Sequence, residues 1–279
     1  MTCRRLFAVS DLHVDHPENR AVVDELRPSS PGDWLVVGGD VADSPDAVES
    51  ALKGLCERFE RVIWTPGNHE LLASRDDPPR LRGELRYLDL VERCQRIGVT
   101  TPEDPYPIWD GDGGPAQIVP LFLLYDYSFG RNVGATREEA LRRAYDAGVV
   151  CVDEFLLDPD PYPSREAWCE ARVAESERRL GTSDPSLPTV LINHFPLLDA
   201  PTRVLRHPEF AQWCGTVRTA GWHRRFRAAA VVYGHLHIPR TTWHDGVRFE
   251  EVSLGYPRER RHRSRQFAPR QILPEVRDA

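Results

Sequence analysis

The chain has 279 residues, 41% hydrophobic and 28% charged, the composition of a folded protein long enough to enclose a sizeable core. Its formal net charge of −7 argues against a general nucleic-acid surface, and it contains no run of 18 apolar residues to cross a membrane. Six cysteines (Cys3, Cys56, Cys94, Cys151, Cys169 and Cys214) are scattered without CxxC pairing, so they predict reduced thiols of a cytoplasmic protein and not a zinc finger.

In chain order, the apolar run at residues 6–10 predicts a strand that ends directly on Asp11. A leader peptide is not expected, because its cleavage would remove that residue. Residues 17–26 predict a weak helix, with His16 as its cap, and residues 34–37 a second strand. Ser44-Pro45 reads as an N-cap followed by proline at the first helical position; Val48, Ala51, Leu52, Leu55 and Phe59 then follow at helical spacing. Residues 61–65 form the next strand, stopped by Pro66-Gly67. This β-α-β-α-β order implies parallel strands with crossover helices.

The middle is less regular. A helix is expected over residues 85–97, with Leu85, Leu88, Val91, Cys94 and Ile97 as its apolar stripe. Residues 101–120 read as a proline- and glycine-rich loop, followed by the apolar run 121–124. A helix from Ser164 to Gly181 follows a second irregular stretch. Strands return at 189–192 and 229–233, and Asp245-Gly246 between two β-rich runs predicts a closing antiparallel hairpin.

The chemistry lies in where the polar residues fall. Asp11 and His13 follow the first strand, Gly39-Asp40 the second, and Gly67-Asn68-His69 the third. Asn193-His194 follows the 189–192 strand, and Gly234-His235-Leu236-His237 follows the 229–233 strand. Five strand ends of an α/β sheet thus carry oxygen or imidazole donors at the edge where such sheets place their sites. In an extended chain residues two apart point the same way, which puts Asp11 with His13 and His235 with His237. The flanking glycines let the backbone approach a cation or phosphate closely. A donor set with no thiolate suits manganese, iron, zinc or nickel better than magnesium alone.

D-x-H, G-D, G-N-H-E, H and G-H-x-H, in this order over residues 11–237, resemble the calcineurin-like metallophosphoesterase superfamily. The resemblance implies a four-layer α/β/β/α sandwich with two mixed sheets. It implies two divalent transition-metal ions, manganese or iron first, with zinc or nickel compatible. Asp11, His13 and His237 would hold one ion and Asn68, His194 and His235 the other. Asp40 would bridge them, and His69 would be the general acid. Segments 124–129, 193–198, 233–240 and 255–259 further resemble the phosphopantetheinyl-hydrolase branch of that superfamily. That implies removal of 4′-phosphopantetheine from a holo acyl or peptidyl carrier protein, with an acidic carrier protein as partner. A small-molecule phosphodiesterase or nucleotidase is the alternative enzyme, and a metal-binding scaffold without turnover the alternative of another class.

Departures from the pattern narrow the choice. Val41-Ala42-Asp43-Ser44 lacks the arginine that protein phosphatases carry after the bridging aspartate, and Asp43 stands where purple acid phosphatases carry a tyrosine. Asp43 and Glu70 adjoin candidate ligands, where a supporting role and an ordinary surface or capping role are both open. Tyr125 and Asp126 either line the substrate cleft or finish a strand. Residues 1–257 are expected to form the catalytic domain and 258–279 an arginine-rich, mobile tail. Its Arg260, Arg261 and Arg263 are candidates for docking an acidic protein. His207, His223, His244 and His262 carry no functional expectation.

Overall fold

The computed structural model describes residues 3–74, 77–78, 81–130, 136–261 and 267–276. Chain order runs β1 (Leu6–Val9), α1 (Pro17–Asp24), β2 (Trp34–Val37), α2 (Pro45–Cys56), β3 (Arg61–Trp64), α3 (Gly83–Arg96), β4 (Ile108–Trp109) and β5 (Ala116–Pro120). It continues with α4 (Arg137–Asp146), α5 (Asp153–Leu156), α6 (Arg165–Leu180), β6 (Thr189–Ile192), α7 (Trp222–Arg225) and β7 (Ala228–Tyr233). The last elements are β8 (Arg240–His244), β9 (Val247–Glu251), α8 (Pro257–Arg260) and β10 (Arg270–Leu273).

Two mixed sheets result, ordered β10-β1-β2-β3 and β4-β5-β6-β7-β9-β8. Strands β1, β2 and β3 are parallel, as are β5, β6, β7 and β9, while β10, β4 and β8 pair antiparallel at their ends. The two-residue period of each strand builds the layers. Trp34, Val36, Ile63, Ile118, Val190 and Val232 share one buried cluster drawn from both sheets, so they fill the space between them. Leu35, Val37, Val62 and Trp64 point the other way and pack with Val48, Leu52 and Leu55 of α2. The fold is therefore the four-layer α/β/β/α arrangement of two mixed sheets. Among the described residues, no helix is long and apolar enough to cross a membrane.

Helix α2 starts as expected: Ser44 Oγ accepts the Ala47 N–H, with Pro45 in the first turn. The Asp245-Gly246 hairpin forms with both residues at positive φ (51° and 78°). Three expectations change. The 101–120 stretch is not all loop, because Ala116–Pro120 pairs in parallel with β6 and its prolines had masked a strand. In α3 the buried face is Tyr87, Leu90, Val91 and Cys94; Leu85 and Leu88 are exposed, so two of the five residues of the expected apolar stripe face solvent. His16 occupies the α1 N-cap position, but its side chain makes no capping bond. Beyond residue 257, α8 packs beside the strand ends and β10 joins the first sheet against β1. All six cysteines are unpaired.

Candidate metal centre

The carboxyl ends of β1, β2, β3, β6 and β7 bring Asp11, His13, Asp40, Asn68, His194, His235 and His237 together. Donor atoms of Asp11, His13 and His237 lie within 4.8 Å of one another, as do those of Asp40, His194 and His235, and those of His13, Asp40 and His69. The convergence does not come from extended alternation, as the sequence suggested. Among the described residues, eight non-glycine residues have positive φ. Five are Asp11 (53°), His13 (42°), Asp40 (53°), His235 (68°) and His237 (55°). Left-handed backbone costs non-glycine residues free energy and persists where the surroundings over-determine it, typically at functional sites. Close approach does the rest. A Cβ on Gly67 would collide with Asp40 Oδ1, and one on Gly234 with Asp11 Oδ2.

Hydrogen bonds aim each donor. His194 Nδ1 donates to the Gly38 carbonyl (2.9 Å), which leaves Nε2 facing Asn68 Oδ1 (3.2 Å) and Asp40 Oδ2 (3.3 Å). Asn68 Nδ2 donates to Asp153 Oδ1 (3.0 Å), so the amide oxygen is the end presented to the cluster. His237 Nδ1 meets Glu259 Oε2 of α8 (2.8 Å), while its Nε2 lies 3.0 Å from Asp11 Oδ1 and 3.3 Å from His13 Nε2. Asp11 also accepts from the His235 N–H (3.1 Å) and from Ser253 Oγ (2.7 Å).

The electrostatics of this cluster call for cations. Asp11 and Asp40 are buried, which alone would raise their pKa values, yet His237 and His194 hold Asp11 well below the carboxylate range. His194 and His69 do the same for Asp40. Burial would lower His194 and His237, but the same carboxylates hold them up at about 9 and about 10. His13 and His235 go the other way, lowered chiefly by burial to about 4 and about 3, so their ring nitrogens stay neutral and able to ligate. The buried His235 Nε2 has no hydrogen-bond partner among the described residues. An orphaned imidazole nitrogen, two Nε2 atoms facing each other, and buried carboxylates between them are a donor set that fits divalent transition metals.

For Glu70 and Asp43 the sequence left a supporting role open, and for Tyr256 it assigned none. Glu70 is fully buried and accepts the backbone N–H groups of Asp40, Val41 and Gly67, each at 2.9 Å, which ties the ends of β2 and β3 together. Burial and the Asp40 charge push its pKa up to about 7. Asp43 Oδ1 meets His69 Nδ1 at 2.8 Å. Tyr256 stacks on His13 (centroids 4.4 Å apart, planes at 19°) and places its hydroxyl 3.3 Å from His69 Nε2. Tyr125, in contrast, is buried against Tyr127 and Phe195, and Asp126 accepts from Ser128 and Thr216, so both sit in the scaffold under the site. Arg260 donates to Asn19 Oδ1 (2.6 Å), Arg261 is exposed, and Arg263 and His262 lie outside the described residues. His223 pairs with Asp245 away from the cluster.

Two mixed sheets carrying acidic and imidazole donors at their strand ends define a metallophosphoesterase. The calcineurin-like phosphoesterase family model matches residues 4–239, and the chain belongs to that family of hydrolases acting on phosphate esters. It is 54% identical over 270 residues to the acyl-carrier-protein phosphodiesterase PptH of Mycobacterium tuberculosis, covering 97% of this chain and 83% of that protein. It also superposes on the crystal structure of the phosphopantetheinyl hydrolase PptH from Mycobacterium tuberculosis with a TM-score of 0.95 at 53% identity. That match covers 99% of this chain and 98% of the other.

Proposed function

We propose that this enzyme hydrolyses the phosphodiester between 4′-phosphopantetheine and the serine of a holo acyl or peptidyl carrier protein, at a centre of two divalent metal ions. The observation that carries the substrate is the likeness to PptH over nearly the whole of both chains. Asp11, His13 and His237 would hold one ion and Asn68, His194 and His235 the other, with Asp40 between them. Bound there, two cations supply charge to the phosphoryl oxygens and acidify an attacking water.

The chain's own residues do the remainder. Burial alone would lower the His69 pKa, but Asp40 and then Asp43 raise it to about 10, so the imidazole holds a proton at neutral pH. Asp43 fixes the ring through Nδ1, and Nε2 lies 3.3 Å from the Tyr256 hydroxyl and 4.0 Å from Asp40 Oδ2. His69 therefore serves as general acid to the departing serine oxygen. Glu70 and Glu259 position Asp40 and His237 from behind. An intact His69–Asp43 pair argues against a scaffold without turnover.

Mass spectrometry of holo carrier protein after incubation with enzyme and manganese tests the reading. Conversion to the apo mass with release of phosphopantetheine is expected. An unchanged holo mass, with turnover of cyclic nucleotides instead, would replace the substrate by a small phosphodiester and leave the family assignment standing.

A further inference from the structure

Beside the centre, a groove of about 330 Å³ is lined by His16, Glu18, Tyr256, Pro257, Arg258 and Arg261. Tyr256 joins the two: one face of its ring covers His13, its hydroxyl reaches His69, and the His16 ring meets it edge-on at 5.6 Å. The Arg258 guanidinium lies 5.5 Å from the centroid of the same ring. Arg258 and Arg261 are both exposed, and with two guanidiniums against the single carboxylate of Glu18 the lining is net positive in a chain of net charge −7.

Chemistry fixes which part of a diester lies there. A general acid must reach the oxygen that departs, and His69 Nε2 faces the Tyr256 side. When phosphopantetheine is released, the departing oxygen belongs to the carrier serine, so the polypeptide lies on the groove side. The neutral pantetheine arm is left the opposite flank, where the Phe210 ring lies nearly parallel to His235 at 5.6 Å. We propose that this groove is the docking site for the acidic polypeptide segment flanking the modified serine, with Arg258 and Arg261 pairing its carboxylates and Tyr256 marking the point where the serine enters. The proposal rests on the carrier-protein reading given above. It also moves the electrostatic contact from Arg260, which is committed to Asn19, to the arginines on either side of it.

The test compares two substrates on the metal-loaded full chain: holo carrier protein and a small aryl phosphodiester. In R258E/R261E the ratio of kcat/KM for carrier to kcat/KM for the aryl diester should fall about tenfold or more in low salt, since charge mutations at one interface move association rates over one to three decades. A carrier with acidic residues beside the serine reversed to lysine should recover part of that loss. R261E alone, on an exposed side chain, guards against a folding defect and should show the same direction. A wild-type ratio in both variants, with the wild-type enzyme turning over carrier, would overturn the docking site and leave the substrate standing. No phosphopantetheine release by the wild type would sink the substrate reading and this inference with it.

Discussion

Asp153 Oδ1 accepts the hydrogen bond of Asn68 Nδ2 at 3.0 Å, so an aspartate 85 residues downstream decides which end of the Asn68 amide faces the metal-type cluster. Asp153 lies on α5 in the segment between β5 and β6, is fully buried, and has its pKa raised by that burial. An amide rotated by half a turn would present N–H groups, which repel cations, in place of an oxygen lone pair.

Freeing that amide should therefore loosen one metal. In Asp153→Ala, affinity for one of the two ions should fall about 10–100-fold, the usual scale for losing a partner behind a ligand. Asp153→Asn keeps an oxygen acceptor and should recover part of it. Metal titration followed by elemental analysis reads both; two tightly held ions in Asp153→Ala would mean that other contacts orient Asn68.

Asp40 lies in two of the three donor clusters, with His69 and His13 on one side and His194 and His235 on the other. A bridging carboxylate neutralises both cations, so Asp40→Asn should weaken both sites together. His13→Ala should empty mainly one. Two metals per chain in purified Asp40→Asn would count against the bridge.

How much of this could be read from the sequence follows from the range of the forces involved. Strand ends and their donors are local features: an apolar run fixes where the chain is extended, and the next polar residue inherits its place at the sheet edge. The left-handed turns at Asp11 and His237 were not legible, because tertiary contacts impose them against local preference. Asp153, Glu259 and Tyr256 reach the site from other parts of the chain, and no spacing rule connects residue 68 to residue 153 or residue 13 to residue 256. The Thr136–Glu139 capping box that starts α4 was visible in principle as T-x-x-E, but it sits in a polar stretch where no apolar stripe drew attention to a helix.

Glu70 offers a stability test apart from catalysis. Its two oxygens serve three backbone N–H groups from two strand ends. Glu70→Gln turns one oxygen into a donor, so at least one buried N–H loses its acceptor, at about 1–3 kcal/mol. Since 1 kcal/mol moves the melting point of a domain this size by roughly 2–4 °C, the metal-free variant should melt several degrees lower by calorimetry. An unaltered melting point would mean that the amide nitrogen turns to an alternative acceptor without loss.

The final prediction separates proton delivery from metal binding at His69. His69→Ala should retain both ions and lose about 10²–10⁴-fold in kcat on substrates with alkoxide leaving groups, because it removes the protonated imidazole that serves the departing oxygen. Aryl diesters, whose phenolate leaves without protonation, should lose far less; equal losses on both substrates would exclude the general-acid role. The pH profile supplies a second reading, with a definite sign. His69 acts in its protonated form, so the rate falls as pH rises through its pKa. Burial opposes protonation, Asp40 and then Asp43 favour it, and the result lies above the ordinary histidine value, at about 10. Asp43→Asn removes one of the favouring carboxylates while leaving an oxygen for Nδ1. The alkaline limb of kcat/KM should then move to lower pH, with kcat at the acidic end of the profile largely kept. If the limb stays where it is in Asp43→Asn, the group that titrates there is not His69.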